Sequence, residues 1–101
     1  MKNDLIRILK TVLKEIGKEN GIDFSNKKVS IQENKEKAHG DYASNLAMVI
    51  AKDLSKSPRE VAEMITSLLP PAKWIERVNI AGPGFINFYL KKDTHNEILL
   101  R

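Results

Sequence analysis

The residues best suited to chemistry lie together in a short segment near the end of the chain, residues 85–90. Alternation of its side chains predicts a β-strand that presents Phe85, Asn87 and Tyr89 on one face. An aromatic ring can stack on an unpaired base for about 1–3 kcal/mol, and a carboxamide offers a donor and an acceptor to a base edge. The segment therefore indicates a surface that could recognise an unpaired nucleotide. The other face of the strand is apolar: Ile86, Phe88 and Leu90.

A second interpretation of this strand remains open. If helices cover both faces of the sheet, Phe85 and Tyr89 are core residues, because aromatic rings are usually buried. Asn87 favours the open-face interpretation, because a carboxamide buried between two rings would need hydrogen-bond partners. Gly82 and Gly84, in the turn before the strand, favour it too. Neither projects a side chain, so the approach to the strand stays open.

Catalytic and metal-binding chemistry have weaker support in the sequence. His39 and Asp41 could form an acid–base pair, but Gly40 and Asp41 are more simply a turn followed by a helix cap. His95 falls in a capping box near the end of the chain, far from His39, without the spacing of a metal site. There is no cysteine and no glycine loop that leads into a helix N-terminus. We therefore predict no catalytic residue, no metal and no cofactor in this chain.

The charge of the chain mildly favours a polyanionic partner. Its net charge is +4, from 17 basic and 13 acidic side chains. Lys10, Lys14 and Lys18 recur every four residues on one face of a predicted helix; a solvated face is the plain interpretation, and contact with phosphates is the functional one. Arg77, in the strand before Phe85, is a further candidate phosphate contact. No apolar run approaches the ~20 residues that span a bilayer, so we expect no membrane partner.

Three helices must position these side chains, and apolar residues at helical spacing predict where they lie. We expect them at about residues 3–19, 41–54 and 58–69. Asn3, Asp41 and Ser57 are the predicted N-caps, Ser57 as the first residue of a capping box. Gly21 and the pair Pro70-Pro71 are predicted to end the first and third helices.

The predicted strands, at residues 29–32, 75–81 and 85–90, complete an α+β fold. We expect a small, mostly antiparallel sheet of three or four strands packed against three helices, with the start of a fourth helix at the C-terminus. That last helix begins at the capping box Thr94–Glu97 and stops after about one and a half turns, too short to be stable alone. We therefore expect residues 1–92 to form one domain, and residues 93–101 to begin a linker helix of a longer protein.

Two segments carry a resemblance to a known family. Residues 39–48, His-Gly-Asp-Tyr-Ala-Ser-Asn-Leu-Ala-Met, and residues 78–90, Val-Asn-Ile-Ala-Gly-Pro-Gly-Phe-Ile-Asn-Phe-Tyr-Leu, resemble the two signatures of the N-terminal additional domain of arginyl-tRNA synthetases. The helix start at residues 57–62, Ser-Pro-Arg-Glu-Val-Ala, is similar too. The order and spacing of these segments fit the family, and the resemblance covers essentially the whole chain.

The resemblance implies a domain that docks on the elbow of tRNA and contacts the D-loop. In the family, an aromatic residue and an amide separated by one residue touch an exposed D-loop base, which corresponds to Phe85 and Asn87 here. Some relatives have tyrosine at the position of Phe85, so phenylalanine keeps the stacking and loses the hydroxyl. Gly82 stands where some relatives carry an asparagine that reaches the RNA, and we expect that contact to be missing.

The family also implies what lies outside this chain. A class I catalytic domain follows the N-terminal domain, and its paired-histidine nucleotide-binding signature is absent from this sequence. We therefore expect a non-enzymatic domain of a monomeric, cytoplasmic arginine–tRNA ligase that uses ATP and magnesium. The expected partners are tRNA-Arg and the catalytic domain of the same polypeptide. The alternative is a protein-docking module without RNA binding, indicated by a seam of small residues at Ala43, Ala47 and Ala51.

Overall fold

The computed structural model describes residues 2–91, and it confirms the predicted α+β class. The helices are α1 (Lys2–Asn20), α2 (Leu46–Leu54) and α3 (Pro58–Leu68). The strands are β1 (Gln32–Glu33), β2 (Tyr42–Ser44), β3 (Ile75–Ala81) and β4 (Phe85–Leu90). They form one sheet in the order β1-β2-β4-β3 with every neighbouring pair antiparallel. The predicted start of a fourth helix at Thr94 lies outside the described residues.

Helix α1 forms where its apolar stripe predicts it. Leu5, Leu9 and Ile16 from that stripe are fully buried. The helix begins at Lys2, so Asn3 lies inside the first turn and the prediction of Asn3 as the N-cap was wrong. Gly21 follows the last helical residue as predicted.

The prediction of a helix that starts at Asp41 was wrong over its first turn. Residues 42–44 instead form β2, which pairs with β4 in the interior of the sheet. Asp41 does not cap a helix: its Oδ2 accepts a hydrogen bond from Leu90 N at 2.8 Å. Ser44 Oγ accepts from Leu46 N at 3.1 Å and serves the start of α2. These residues form a strand because they pair with β4, which is distant in sequence. Tertiary pairing thus overrides the helical pattern of the local sequence.

Helix α3 begins at the predicted capping box. Ser57 Oγ accepts from Glu60 N at 3.2 Å, and Glu60 Oε1 accepts from Ser57 N at 3.0 Å. The bond from Ser57 N, and then the one that Ser57 Oγ donates to Glu60 Oε1 at 3.1 Å, lower the pKa of the Glu60 carboxyl. The helix ends at Leu68, just before the pair Pro70-Pro71, as predicted.

The strand predictions were correct for β3 and β4 and displaced for β1. Val29 and Ile31 are both buried, as the alternation predicts, but the pairing with β2 starts only at Gln32. Residues 29–31 precede β1 and contribute to the core, but within residues 2–91 they have no strand partner.

One face of the sheet is covered by helices and the other is open. Ile86 and Phe88 of β4 are fully buried in the core, where α2 and α3 pack against the strand. Residues of opposite parity point away from this core. Gln32, Asn79 and Phe85 are exposed there, on three different strands, so this second face meets solvent.

Candidate nucleic-acid interface

The open face of the sheet is a grid of polar and small side chains around one aromatic ring. Across the four strands, the register aligns one row of side chains: Gln32, Ala43, Asn87 and Asn79. In the next row, Phe85 pairs with Ala81 of β3. Continuing the β2–β4 register by one residue places Asn45 on the other side of Phe85. The two alanines leave space on the face, so the larger side chains stand out from it.

Phe85 is the aromatic platform of this grid. It is 38% exposed, one of two large hydrophobic side chains among residues 2–91 that are exposed to this degree. A half-covered ring keeps its orientation while offering its surface to a ligand, which is the arrangement that base stacking requires. The open-face interpretation of the strand therefore agrees with the position of Phe85.

Asn87 lies beside the ring and is nearly covered, with 7% of its surface exposed. Its neighbours in register are Ala43 and Asn79. Neither Ala43 nor Asn79, nor any other residue of the described chain, makes a hydrogen bond with its side-chain amide. Buried amides are normally paired, so an unpaired one on an open face is a signal for a ligand that supplies the partner.

Tyr89 and Arg77 form a fixed wall on the other side of Asn87. The Tyr89 hydroxyl donates to Ala38 O at 2.8 Å, and the Arg77 guanidinium lies 3.8 Å from the centre of the tyrosine ring. Arg77 Nη1 also donates to the Asn79 carboxamide oxygen at 2.8 Å, in the amide orientation that satisfies both groups. The guanidinium covers one face of the Tyr89 ring, so Phe85 is the more accessible stacking surface.

The turn before β4 is held by the start of α3. Arg59 Nη1 donates to Gly82 O at 2.8 Å. Gly84 is buried, and a β-carbon there would lie 2.8 Å from Pro58 Cβ. Gly82 is exposed, and a β-carbon there would lie 3.7 Å from the Phe85 ring. Gly84 therefore lets the turn pack closely against the start of α3, whereas Gly82 lies next to the Phe85 ring.

The segment His39–Tyr42 braces β4 through the backbone and the carboxylate of Asp41. Asp41 N donates to Phe88 O at 2.8 Å, and its carboxylate accepts from Leu90 N. His39 is exposed, with its Nε2 3.8 Å from Glu36. No cluster of three potential metal ligands occurs in the part of the chain that the structure describes.

The three lysines of the predicted row line a groove beside α1 with a volume of about 580 Å³. Its rim carries Lys10, Lys14, Lys18 and Lys27. Lys27 is paired with Asp53 at 3.1 Å, while within residues 2–91 the other three have no carboxylate partner. Asp23 also lines the groove, and the hydroxyl and then the backbone N–H of Ser25 lower the pKa of its carboxyl. The groove is therefore predominantly positive.

Two side chains beside the platform were missed by the sequence analysis. Asn45 was placed inside a helix, and Gln32 at the end of a strand with no assigned neighbour. Only the pairing of β2 with β1 and β4 brings both to the open face. No local signal in the sequence could have identified them, because the pairing itself is not encoded in a local pattern.

No helix within residues 2–91 is both long and apolar enough to cross a bilayer.

The fold and the open face define a small α+β domain with a sheet surface of amides around an exposed aromatic ring. Known proteins share this domain. The family model of the arginyl tRNA synthetase N terminal domain matches residues 3–90. The chain therefore belongs to the family of arginyl-tRNA synthetase N-terminal domains.

Individual relatives agree with this assignment and are much longer than the chain. The arginine–tRNA ligase of Hydrogenovibrio crunogenus is 46% identical over 91 residues, which cover 89% of this chain and 15% of that protein. The arginine–tRNA ligase of Carboxydothermus hydrogenoformans is 56% identical over 63 residues, 62% of this chain and 11% of that protein. The structure of Thermus thermophilus arginyl-tRNA synthetase matches with a TM-score of 0.75 over 100% of this chain and 16% of that chain. At 24% identity, this last match shows the fold alone.

Proposed function

We propose that this domain binds tRNA-Arg at its elbow and contacts the D-loop, and so positions the tRNA for arginylation by the catalytic part of a longer polypeptide. Phe85 stacks on an exposed D-loop base, and the Asn87 amide bonds to the edge of that base. The observation that carries the proposal is the unpaired, nearly covered amide of Asn87 beside the exposed ring of Phe85. An unstacked nucleotide can stack on the Phe85 ring and hydrogen-bond to the Asn87 amide.

Electrostatic contacts support the base contact. Arg77 stands on the open face beside Asn87, and it can bind phosphate through the part of its guanidinium that Asn79 does not use. Lys10, Lys14 and Lys18 add positive charge along the groove beside α1. These contacts give affinity that falls as salt rises, whereas the ring and the amide give preference for a particular nucleotide.

The chemistry of arginylation belongs to the parent polypeptide in this proposal. The domain itself contributes no catalytic group. The parent enzyme is a class I arginine–tRNA ligase that uses ATP and magnesium, acts in the cytoplasm and works as a monomer. Relatives named arginine–tRNA ligase support this assignment, since the chain covers 15% of the Hydrogenovibrio protein.

The proposal is tested by comparing variants in tRNA binding by the 101-residue chain and in charging by the parent enzyme. Phe85→Ala should weaken binding by about 5- to 150-fold, the factor that corresponds to one lost base stack. Asn87→Ala should also weaken binding, and both variants should raise the tRNA concentration needed for half-maximal charging. Normal binding and charging by both variants at limiting tRNA would refute the site.

A protein-docking role is the second candidate, and the groove beside α1 favours it. Leu13, Ile22 and Phe24 line its floor and lysines its rim, which suits an acidic amphipathic surface. Against it, Phe24 and Leu13 are almost fully buried, so little apolar surface is free to dock. A salt-insensitive complex with a protein, together with no affinity for tRNA, would favour docking over RNA binding.

A further inference from the structure

A small cleft of about 90 Å³ opens beside Phe85 on the open face of the sheet. Phe85 forms one wall, and the polar side chains of Ser30, Gln32 and Asn45 line the other side, with Ala43 between them. This arrangement follows from the register, because Gln32 pairs with Ala43 and Ala43 pairs with Asn87. The cleft is therefore continuous with the surface that carries Phe85 and Asn87.

Asn45 contributes a free amide to this cleft. It occupies the N-cap position of α2, with φ −105° and ψ 18°, yet its side chain makes no capping hydrogen bond. Asparagine at an N-cap normally accepts a bond from the first turn. Here Ser44 Oγ takes that role by accepting from Leu46 N. Asn45 is exposed, and no described residue bonds to its amide, so both its donor and its acceptor are available.

The size of the cleft decides which part of a nucleotide it can take. Pockets that enclose whole drug-sized ligands measure about 300–1,000 Å³, so a cleft of about 90 Å³ holds only an edge of a nucleotide. A base that stacks on Phe85 would leave its sugar at the border of the platform. A ribose 2′-hydroxyl both donates and accepts, and the amides of Asn45 and Gln32 offer both functions.

We propose that this cleft receives the ribose of the nucleotide stacked on Phe85, and that Asn45 and Gln32 hydrogen-bond its 2′-hydroxyl. The inference rests on the proposed function and deepens it. The ring supplies stacking and Asn87 reads the base, while Asn45 and Gln32 discriminate ribose from deoxyribose. The domain thereby distinguishes RNA from DNA at the same place where it contacts a base.

The test is a binding titration of the 101-residue chain against two RNAs at low salt. One is a transcript of tRNA-Arg, and the other carries 2′-deoxyribose throughout its D-loop. The wild-type chain should bind the deoxy form about three- to tenfold more weakly, as expected for the loss of one hydrogen bond. Asn45→Ala should bind the normal transcript more weakly and distinguish the two RNAs by a smaller factor than the wild type does, because only Gln32 is left to contact the 2′-hydroxyl.

The controls separate this inference from the proposed function. Gln32→Ala, an exposed change on the edge strand β1, should reduce the ribose preference even if Asn45→Ala perturbs α2. Asn3→Ala removes an exposed amide on α1 and should leave both affinities unchanged. If Phe85→Ala weakens binding while Asn45→Ala and Gln32→Ala keep the full ribose preference, the ribose contact is refuted and the proposed function stands. If the wild-type chain binds neither RNA, both fail.

Discussion

Replacing Asn87 by leucine should stabilise the domain and weaken its proposed binding of RNA. Only 7% of Asn87 is exposed, and its carboxamide has no hydrogen-bond partner in residues 2–91. An unpaired buried polar group costs about 1–3 kcal/mol. Leucine has a similar shape and no polar atom, so Asn87→Leu should raise the free energy of unfolding by about 1–3 kcal/mol.

The gain should be visible in thermal unfolding followed by circular dichroism. For a domain of this size, about 1 kcal/mol moves Tm by about 4–8 °C. Asn79→Leu is the matched control, because Asn79 lies next to Asn87 in the same row. Its amide is exposed and is bonded to Arg77, so the control should bring no gain. Titration with tRNA should show weaker binding for Asn87→Leu.

If Asn87→Leu is destabilised by more than about 1 kcal/mol, the Asn87 amide is hydrogen-bonded in the free wild-type domain and its burial does not destabilise the fold. If the variant gains stability but binds tRNA as tightly as the wild type, the unpaired amide is unrelated to RNA. Equal gains from Asn87→Leu and Asn79→Leu would mean that added apolar surface alone explains the effect.

Three further predictions concern the brace, the charge and the helix cap. Gly40→Ala should cost about 2–5 kcal/mol in urea unfolding, because φ is +87° and the new β-carbon would lie 2.8 Å from Phe88 O. Gly21→Ala, with φ +66° and open space, should cost only about 1–2 kcal/mol, and equal losses would contradict the close approach. Replacing Lys10, Lys14 and Lys18 together by glutamine should reduce the slope of log Kd against log salt by about 2–3, since each phosphate contact contributes about 0.7–0.9; an unchanged slope would remove the lysines from the RNA surface. Ser57→Ala should cost about 1 kcal/mol at neutral pH. Because Ser57 lowers the folded pKa of Glu60, that part of the stability exists above the unfolded pKa and is lost as pH falls through the folded pKa. The difference from wild type should therefore be smaller at about pH 3 in urea titrations, and a constant difference would contradict the role of Glu60.

The sequence alone predicted those elements whose signals are local. The capping box at Ser57 and the alternation in residues 75–81 and 85–90 are complete within a few positions, and the structure has α3, β3 and β4 there. β2 was assigned to a helix, because its three residues carry no pattern of their own and form a strand only by pairing with β4. The displacement of β1 has the same cause.

For the candidate site, too, the sequence predicted only the features that depend on local pattern. Alternation along β4 was sufficient to put Phe85 and Asn87 on one face, because a strand fixes the parity of its side chains. It could not show that Tyr89 lies under Arg77, since that contact depends on the register between β3 and β4. Asn45 lies beside the Phe85 ring only because β2, a strand that the sequence did not predict, pairs with β4. Residues contributed by a neighbouring strand are therefore the ones that sequence reasoning misses.

Contacts with α3 hold the turn at residues 82–84, so the orientation of the Phe85 ring depends on the packing of α3. Arg59 grips the carbonyl of Gly82, and Pro58 leaves no room beneath Gly84. A substitution that leaves a cavity at Ile65 would let this helix rotate slightly. The turn would then move with the helix and change the orientation of Phe85. If the domain binds RNA as proposed, a change in the interior of the domain would then reduce RNA binding before it prevents folding.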